Sequence, residues 1–262
     1  EKKYDDKVHA RCQYLSLSCW ERTYRPTMLA SSPAKAHAEN ECEEFIQQLY
    51  AQGTDRSNVL GFYEEVAAKY DTIHAATGLG WDGPRILVET VLKSSLGSFS
   101  SGKCRVLDFA AGTGQVGEQL VAQAGSLAAT DLEVDAVDLS PNMIEVAGKK
   151  GVYSGLYSGN LEEDIILPKA SYNLILACGV IGTHVGGDFV LQRLAPLLAS
   201  GGTLAYTIKS TPSSEFCGMA RSLSEGGFTL TELAVGPLNM NNPSVHHRIV
   251  MWTAPVHWSP SA

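Results

Sequence analysis

The chain has 262 residues with 44% hydrophobic side chains, enough apolar material for a full α/β core without disulfide or metal support. Its 20 basic and 28 acidic residues leave a net charge of −8 with no Lys/Arg run, which argues against a nucleic-acid substrate, because phosphate-backbone binding draws on a basic face. No apolar run approaches the roughly 20 residues that span a bilayer, and the six cysteines (Cys12, Cys19, Cys42, Cys104, Cys178, Cys217) form neither a Cys-x-x-Cys pair nor a zinc-ligand cluster. Scattered reduced thiols and an N-terminus without an apolar signal core fit a cytoplasmic protein with no metal site.

Residues 1–38 carry no periodic pattern and read as an extension of unknown role; residues 39–262 read as one domain. Phe45, Ile46 and Leu49 at helical spacing, with Glu43 and Glu44 in the early turns and Gly53 as a stop, predict a helix over Glu39–Gln52. Ser57-Asn58 cap a second helix expected over Val59–Ile73. Trp81-Asp82-Gly83-Pro84 breaks the chain before a third, Arg85–Leu96.

After Gly102 the rhythm changes. Strands are expected at Cys104–Phe109, Val134–Leu139, Tyr153–Gly159, Tyr172–Cys178 and Thr203–Lys209. Helices are expected between them at Val116–Ala124, Pro141–Lys149 and Asp188–Ala199. This alternation implies a Rossmann-like α/β fold, a mostly parallel sheet with right-handed crossovers and helices on both faces. A helix over Ser213–Glu225 precedes two strands, Phe228–Val235 and His246–Ala254, joined only by the loop Gly236–Pro243. That C-terminal hairpin places an antiparallel strand on the sheet.

The first strand-to-helix turn holds the densest signal. Gly112-Thr113-Gly114-Gln115-Val116-Gly117 fits G-x-G-x-x-G, with Asp138 at a strand end about 20 residues on. Such glycines let backbone approach either a dinucleotide pyrophosphate or the amino-acid part of S-adenosylmethionine. Asp108, just ahead of them, would repel a pyrophosphate but suits a ligand carrying an ammonium and a sulfonium. Its bland role is bonding to loop amides. Asp138 can accept two ribose hydroxyls or cap the next helix, although Ser140 before Pro141 is the better cap. Met143 can face an adenine or fill a core. Asn160, with the Leu161 amide, can pair with the adenine edge or be an ordinary turn residue. His184, in the loop after the fourth strand, is a candidate general base or an unremarkable histidine.

Val106–Gly114, Ala136–Met143, Gly159-Asn160-Leu161 and Leu197–Thr203 together resemble class I S-adenosylmethionine-dependent methyltransferases over roughly residues 58–255. Phe62–Asp71 is similar to the N-terminal helix of the methyltransferase-like 27 (Williams–Beuren critical-region) group. The resemblance implies a seven-stranded sheet, S-adenosylmethionine as cofactor and S-adenosylhomocysteine as product. The implied cofactor contacts are Asp108, Ala110, Gly112, Thr113, Gly114, Asp138, Leu139, Met143, Asn160, Leu161 and Cys178. Tyr63 and Tyr70 join them from a helix over the pocket, where core packing is their alternative role. Ala110-Ala111 replaces the family's usual Ala-Cys or Gly-Cys, and Asn160 replaces a frequent Asp. No Asp/Asn-Pro-Pro-Tyr/Phe follows the fourth strand, which weakens a nucleic-acid or glutamine acceptor.

The expected function is therefore SN2 methyl transfer to a small-molecule acceptor, with no catalytic residue assigned, no nucleic-acid partner and no membrane span. A cofactor-binding scaffold or partner-binding protein without turnover is the main alternative. A nicotinamide oxidoreductase fits the glycines but has Asp108, the terminal hairpin and the lack of a Tyr-x-x-x-Lys pair against it.

Overall fold

The computed structural model describes residues 48, 56–75, 80–94, 103–123, 131–161, 165–210, 214–238 and 244–260, all within one unit spanning Ala34–Ala262. The extension 1–38 lies outside them, as does the helix expected over Glu39–Gln52 apart from Gln48, which is helical and exposed.

The second expected helix is divided into three. Helix α1 (Arg56–Val66) passes through a 3-10 turn (Ala67–Lys69) into α2 (Tyr70–His74), and Ser57 and Asn58 fall inside its first turn rather than capping it. Val66 and Lys69 have ψ of −8° and 1°, and the Tyr70 amide donates to the Ala67 carbonyl, so the backbone tightens there. Helix α3 (Gly83–Lys93) starts two residues before its expected position because Pro84 fits the first turn, where its missing N–H has no partner to lose.

Seven strands follow in one sheet: β1 (Lys103–Phe109), β2 (Asp131–Asp138), β3 (Gly155–Ser158), β4 (Tyr172–Ala177), β5 (Leu198–Lys209), β6 (Thr229–Pro237) and β7 (His246–Thr253). Their spatial order is β3-β2-β1-β4-β5-β7-β6, and β7 runs antiparallel between β5 and β6 while the other pairs are parallel. Helices α4 (Gln115–Gln123), α5 (Pro141–Lys149), α6 (Gly187–Phe189) and α7 (Ser214–Glu225) make the crossovers. Helix α6 continues as a π turn (Val190–Leu194) and a 3-10 turn (Ala195–Leu197).

Three departures concern strand starts, and in the first β2 begins at Asp131, three residues before expected. β5 begins at Leu198, five residues before expected, because Tyr172 pairs with Leu198 while Leu174 pairs with Thr203, leaving the residues between as a bulge. β3 begins only at Gly155, so Tyr153 lies ahead of it.

Alternation along the central strands divides the core. Val106, Leu174, Leu176, Ala205, Ile249 and Met251 pack against Leu87, Val88, Val91, Val116 and Leu120 of α3 and α4. Leu107, Ile175, Leu204, Tyr206 and Trp252 pack on the opposite face against Val190, Leu194, Phe216, Met219 and Leu223. Burial on both faces is why β4 reads as a continuous apolar run. In the middle of the sheet Asp135 is buried, and its Oδ2 accepts from Arg105 (Nη2, 2.8 Å) and the Tyr172 hydroxyl (2.9 Å). Because β7 is antiparallel, its first residues His246 and His247 share an edge with the carboxyl ends of β1, β2, β4 and β5, where open α/β sheets take their ligands.

Candidate cofactor and active site

The loop after β1 is held in a left-handed path. Ala110, Gly112 and Gly114 have φ of 54°, 54° and 84°. The Ala111 amide donates to the Val137 carbonyl, and the Gly112 amide to Asp138 Oδ2 at 2.8 Å, tying the loop to the end of β2. The fingerprint glycines divide into two kinds. A Cβ on Gly112 would meet nothing within 4 Å, so that glycine borders open space. A Cβ on Gly114 or Gly117 would stand 2.9 or 2.4 Å from the Tyr153 side chain, so those two make room for a ring of the protein itself.

Asp108 lies beneath this loop and is only 1% exposed. Its Oδ2 accepts from the Tyr153 hydroxyl at 2.7 Å and the Gly117 amide at 3.1 Å. Its Oδ1 is buried with no hydrogen-bond partner. Burial, partly offset by the Tyr153 and Gly117 bonds, pushes the carboxyl up to about 7. Leaving a buried carboxylate oxygen unpaired costs on the order of 1–3 kcal/mol, which a cationic ligand would recover. The residues present therefore fit the ammonium of S-adenosylmethionine.

Asp138 is already engaged. Its Oδ1 accepts from the Ser140 amide (2.9 Å) and its Oδ2 from Gly112. Burial raises its pKa against the pull of the Ser140, Gly112 and Leu139 amides. Each oxygen keeps a second lone pair for a hydroxyl donor. Ser140 caps α5, accepting from the Met143 amide at 3.1 Å. Met143 is 1% exposed and packs with Phe62, Val66 and Ala67, so its side chain is taken up in the contact between α5 and the N-terminal helices. Asn160 is buried, and its carbonyl accepts from the Ile165 amide; Leu161 packs at the rim of the core.

Helices α1 and α2 are fastened to the segments after β2 and β1 by one carboxylate each. Glu64 accepts from the Ser140 hydroxyl and the Asn142 amide, while the Asn142 side chain donates to the Glu64 carbonyl. Asp71 accepts from the Thr113 hydroxyl, from Gln115 (2.8 Å) and from Lys150 (3.0 Å). Burial raises the Asp71 carboxyl, but those three donors together hold it below its ordinary value. Thr113 is thus turned toward a helix as well as the loop.

Aromatic rings line the rest of this edge. Tyr63 bonds His184 Nε2 at 3.2 Å and meets its ring edge-on, with Tyr70 6.2 Å away. Burial lowers the His184 pKa, so the imidazole is neutral near pH 7. Burial is also the main cause that raises both tyrosines, with Asp138 adding to it. Cys178 follows β4 as a free thiol that burial pushes up to about 12, which makes it an inert wall rather than a nucleophile. Trp81 covers Gly83 and meets His247 edge-on at 5.8 Å. Among the described residues no group of His, Cys, Asp or Glu could hold a metal ion, and no helix is long and apolar enough to cross a membrane.

Glu64, Asp71, Trp81, Tyr153 and His247 were not singled out by the sequence.

Residues 107–204 match a family described as a methyltransferase domain. No curated protein matches the chain by sequence. Among solved structures, a TehB-like SAM-dependent methyltransferase from Corynebacterium glutamicum is similar at 18% identity and a TM-score of 0.50, over 74% of this chain and 98% of that one. The CurJ carbon methyltransferase is similar at 16% identity and 0.56, over 85% and 67%. The 4+2 cyclase SpnF is similar at 14% identity and 0.55, over 76% and 96%. The domain match and the Rossmann-like fold support an enzyme of the methyltransferase class, one that takes its methyl group from S-adenosylmethionine and leaves S-adenosylhomocysteine.

Proposed function

We propose that the acceptor is a small molecule, methylated at the edge bordered by Tyr63, His184, Trp81 and His247. The observation that carries this reading is the pair of carboxylate fasteners, Glu64 and Asp71. They hold α1 and α2, with the Tyr63 and Tyr70 rings they carry, across the loops after β2 and β1, so the approach to the donor lies beside those rings. The overall charge of −8 supports it.

In this reading Asp108 Oδ1 takes the donor's ammonium and Asp138 the ribose hydroxyls. Asn160 and the Leu161 amide meet the adenine edge. Ala110, Gly112, Thr113 and Gly114 shape the loop around the methionine part, with Leu139, Cys178, Tyr63 and Tyr70 as walls. Met143 supports that wall from behind. When bound, S-adenosylmethionine supplies an electrophilic methyl on sulfur, which an acceptor lone pair takes in line as sulfur leaves with the bonding pair. The protein contributes alignment and exclusion of water, and such positioning is worth roughly 7–11 kcal/mol. Kinship with the methyltransferase-like 27 group is part of the same proposal and is supported by Phe62–Asp71. So is a cytoplasmic location, supported by the free thiols Cys104, Cys178 and Cys217.

The test is S-adenosylhomocysteine release from S-adenosylmethionine in the presence of pooled small-molecule acceptors, with proteins and RNA as parallel pools. Turnover confined to a macromolecular pool would sink the small-molecule reading. Donor binding without turnover in any pool, together with a partner interaction that Asp138→Ala leaves unchanged, would favour the scaffold.

A further inference from the structure

We propose that Tyr153 is a positioning residue for the methyl donor: its hydroxyl fixes one oxygen of Asp108 so that the other is presented to the donor's ammonium. This rests on the reading of Asp108 as the donor's anionic contact.

The geometry has three parts. Tyr153 donates to Asp108 Oδ2 at 2.7 Å, and the Gly117 amide donates to the same oxygen at 3.1 Å. Both bonds fall on one oxygen, and Oδ1 is left buried and unpartnered in a residue that is 1% exposed. The ring is itself confined, because it occupies the space that Cβ atoms on Gly114 and Gly117 would fill, 2.9 and 2.4 Å away. Two glycines of the fingerprint thus seat the tyrosine, the tyrosine seats the carboxylate, and the carboxylate faces the ligand. A carboxylate held by two donors on one side has no freedom to turn Oδ1 onto a loop amide.

The hydroxyl has a second effect. A hydrogen bond to the ionised form favours that form, so Tyr153 opposes the burial that drives Asp108 toward its neutral state. The other charged or titratable groups facing the pair are Asp138 at the end of β2, Glu118 on α4, Lys150 after α5 and Cys178 after β4. Of these, Asp138 raises the Asp108 carboxyl and Lys150 lowers it, and none donates to Oδ1.

The experiment is titration of the full chain and of Tyr153→Phe with S-adenosylhomocysteine, from about pH 6 to about pH 9. 5′-Methylthioadenosine, which keeps the adenosine and thioether but lacks the amino acid, is the control ligand. The phenylalanine keeps the ring over the glycines, so the melting curve should hold. Loss of a charge-assisted bond predicts about tenfold weaker S-adenosylhomocysteine binding at neutral pH, with the low-pH loss of affinity displaced upward. Methylthioadenosine binding should not change. In an Asp108→Asn background, Tyr153→Phe should have little further effect on S-adenosylhomocysteine. A merely structural tyrosine would weaken binding by the same factor at every pH, and that result overturns the proposal. So does S-adenosylhomocysteine binding that Tyr153→Phe leaves unchanged. Failure of the wild type to bind S-adenosylhomocysteine at any pH overturns the donor-site reading itself, and this proposal with it.

Discussion

On the proposed role of Asp108, its burial would couple donor binding to a proton. An aspartate ordinarily titrates near 3.8, and Asp108 is pushed up to about 7. Between those values the native state holds a proton that the unfolded chain has lost. This group therefore weakens the fold as pH rises from about 4 to about 7. An ammonium against Oδ1 favours the ionised form and displaces that proton. Calorimetry with S-adenosylhomocysteine at about pH 6.5, in buffers of different ionisation heat, should show proton release that fades above about pH 8. Asp108→Asn should abolish it. The glycines make a second residue-scale prediction. Gly112→Ala directs a methyl into open space and should cut donor affinity with a modest loss of stability, about 1 kcal/mol for the left-handed backbone. Gly117→Ala drives a methyl into the Tyr153 ring and should lower the melting temperature as well. Equal effects from the two substitutions would contradict the division of roles. Sequence alone read Gly112 as a ligand contact and Gly117 only as the last position of the fingerprint, because a pattern records that a side chain is absent but not what fills its place.

Among the elements, α1 and α2 carry the most consequence. Glu64 bridges to the segment after Asp138, and Asp71 to the segment after Asp108. Glu64→Gln or Asp71→Asn should speed S-adenosylhomocysteine dissociation by about tenfold in stopped-flow displacement, because each removes charge-assisted bonds across the closed site. An unchanged off-rate would mean that the helices do not gate the donor. Asp135 offers a control far from this edge. It accepts from Arg105 and Tyr172 within the sheet, and Asp135→Ala should destabilise the fold by about 2–3 kcal/mol without changing the off-rate. Periodicity located α5 to the residue, because Ser140 and Pro141 mark its start locally. It did not find the 3-10 turn at Ala67–Lys69. Ala and Lys are good helix formers, and the tightening coincides with packing of Phe62, Val66 and Ala67 on Met143, which no window of local sequence contains.

At the scale of the whole molecule, ligand and fold are linked. A donor at about a hundred times its dissociation constant adds about 2.7 kcal/mol to the native state. For a chain of this size that is a rise of roughly 5–10 °C in melting temperature, which thermal-shift measurements with S-adenosylhomocysteine would detect. Asp138→Ala should reduce that rise.

The order of strands and helices and the antiparallel terminal strand were determined by the sequence alone, which also singled out the glycine loop after β1 as the candidate donor loop. They rest on local signals: alternation of strand and helix periods, a glycine turn after an apolar run, and acids at strand ends. Tertiary structure decided which oxygen of Asp108 is free, that the Tyr153 ring fills the space beside Gly117, that Met143 packs on Phe62, Val66 and Ala67, and that Glu64 and Asp71 tie α1 and α2 to the loops after β2 and β1. Each of these depends on residues tens of positions apart meeting across the fold, and burial with partner choice is set only once the chain has packed.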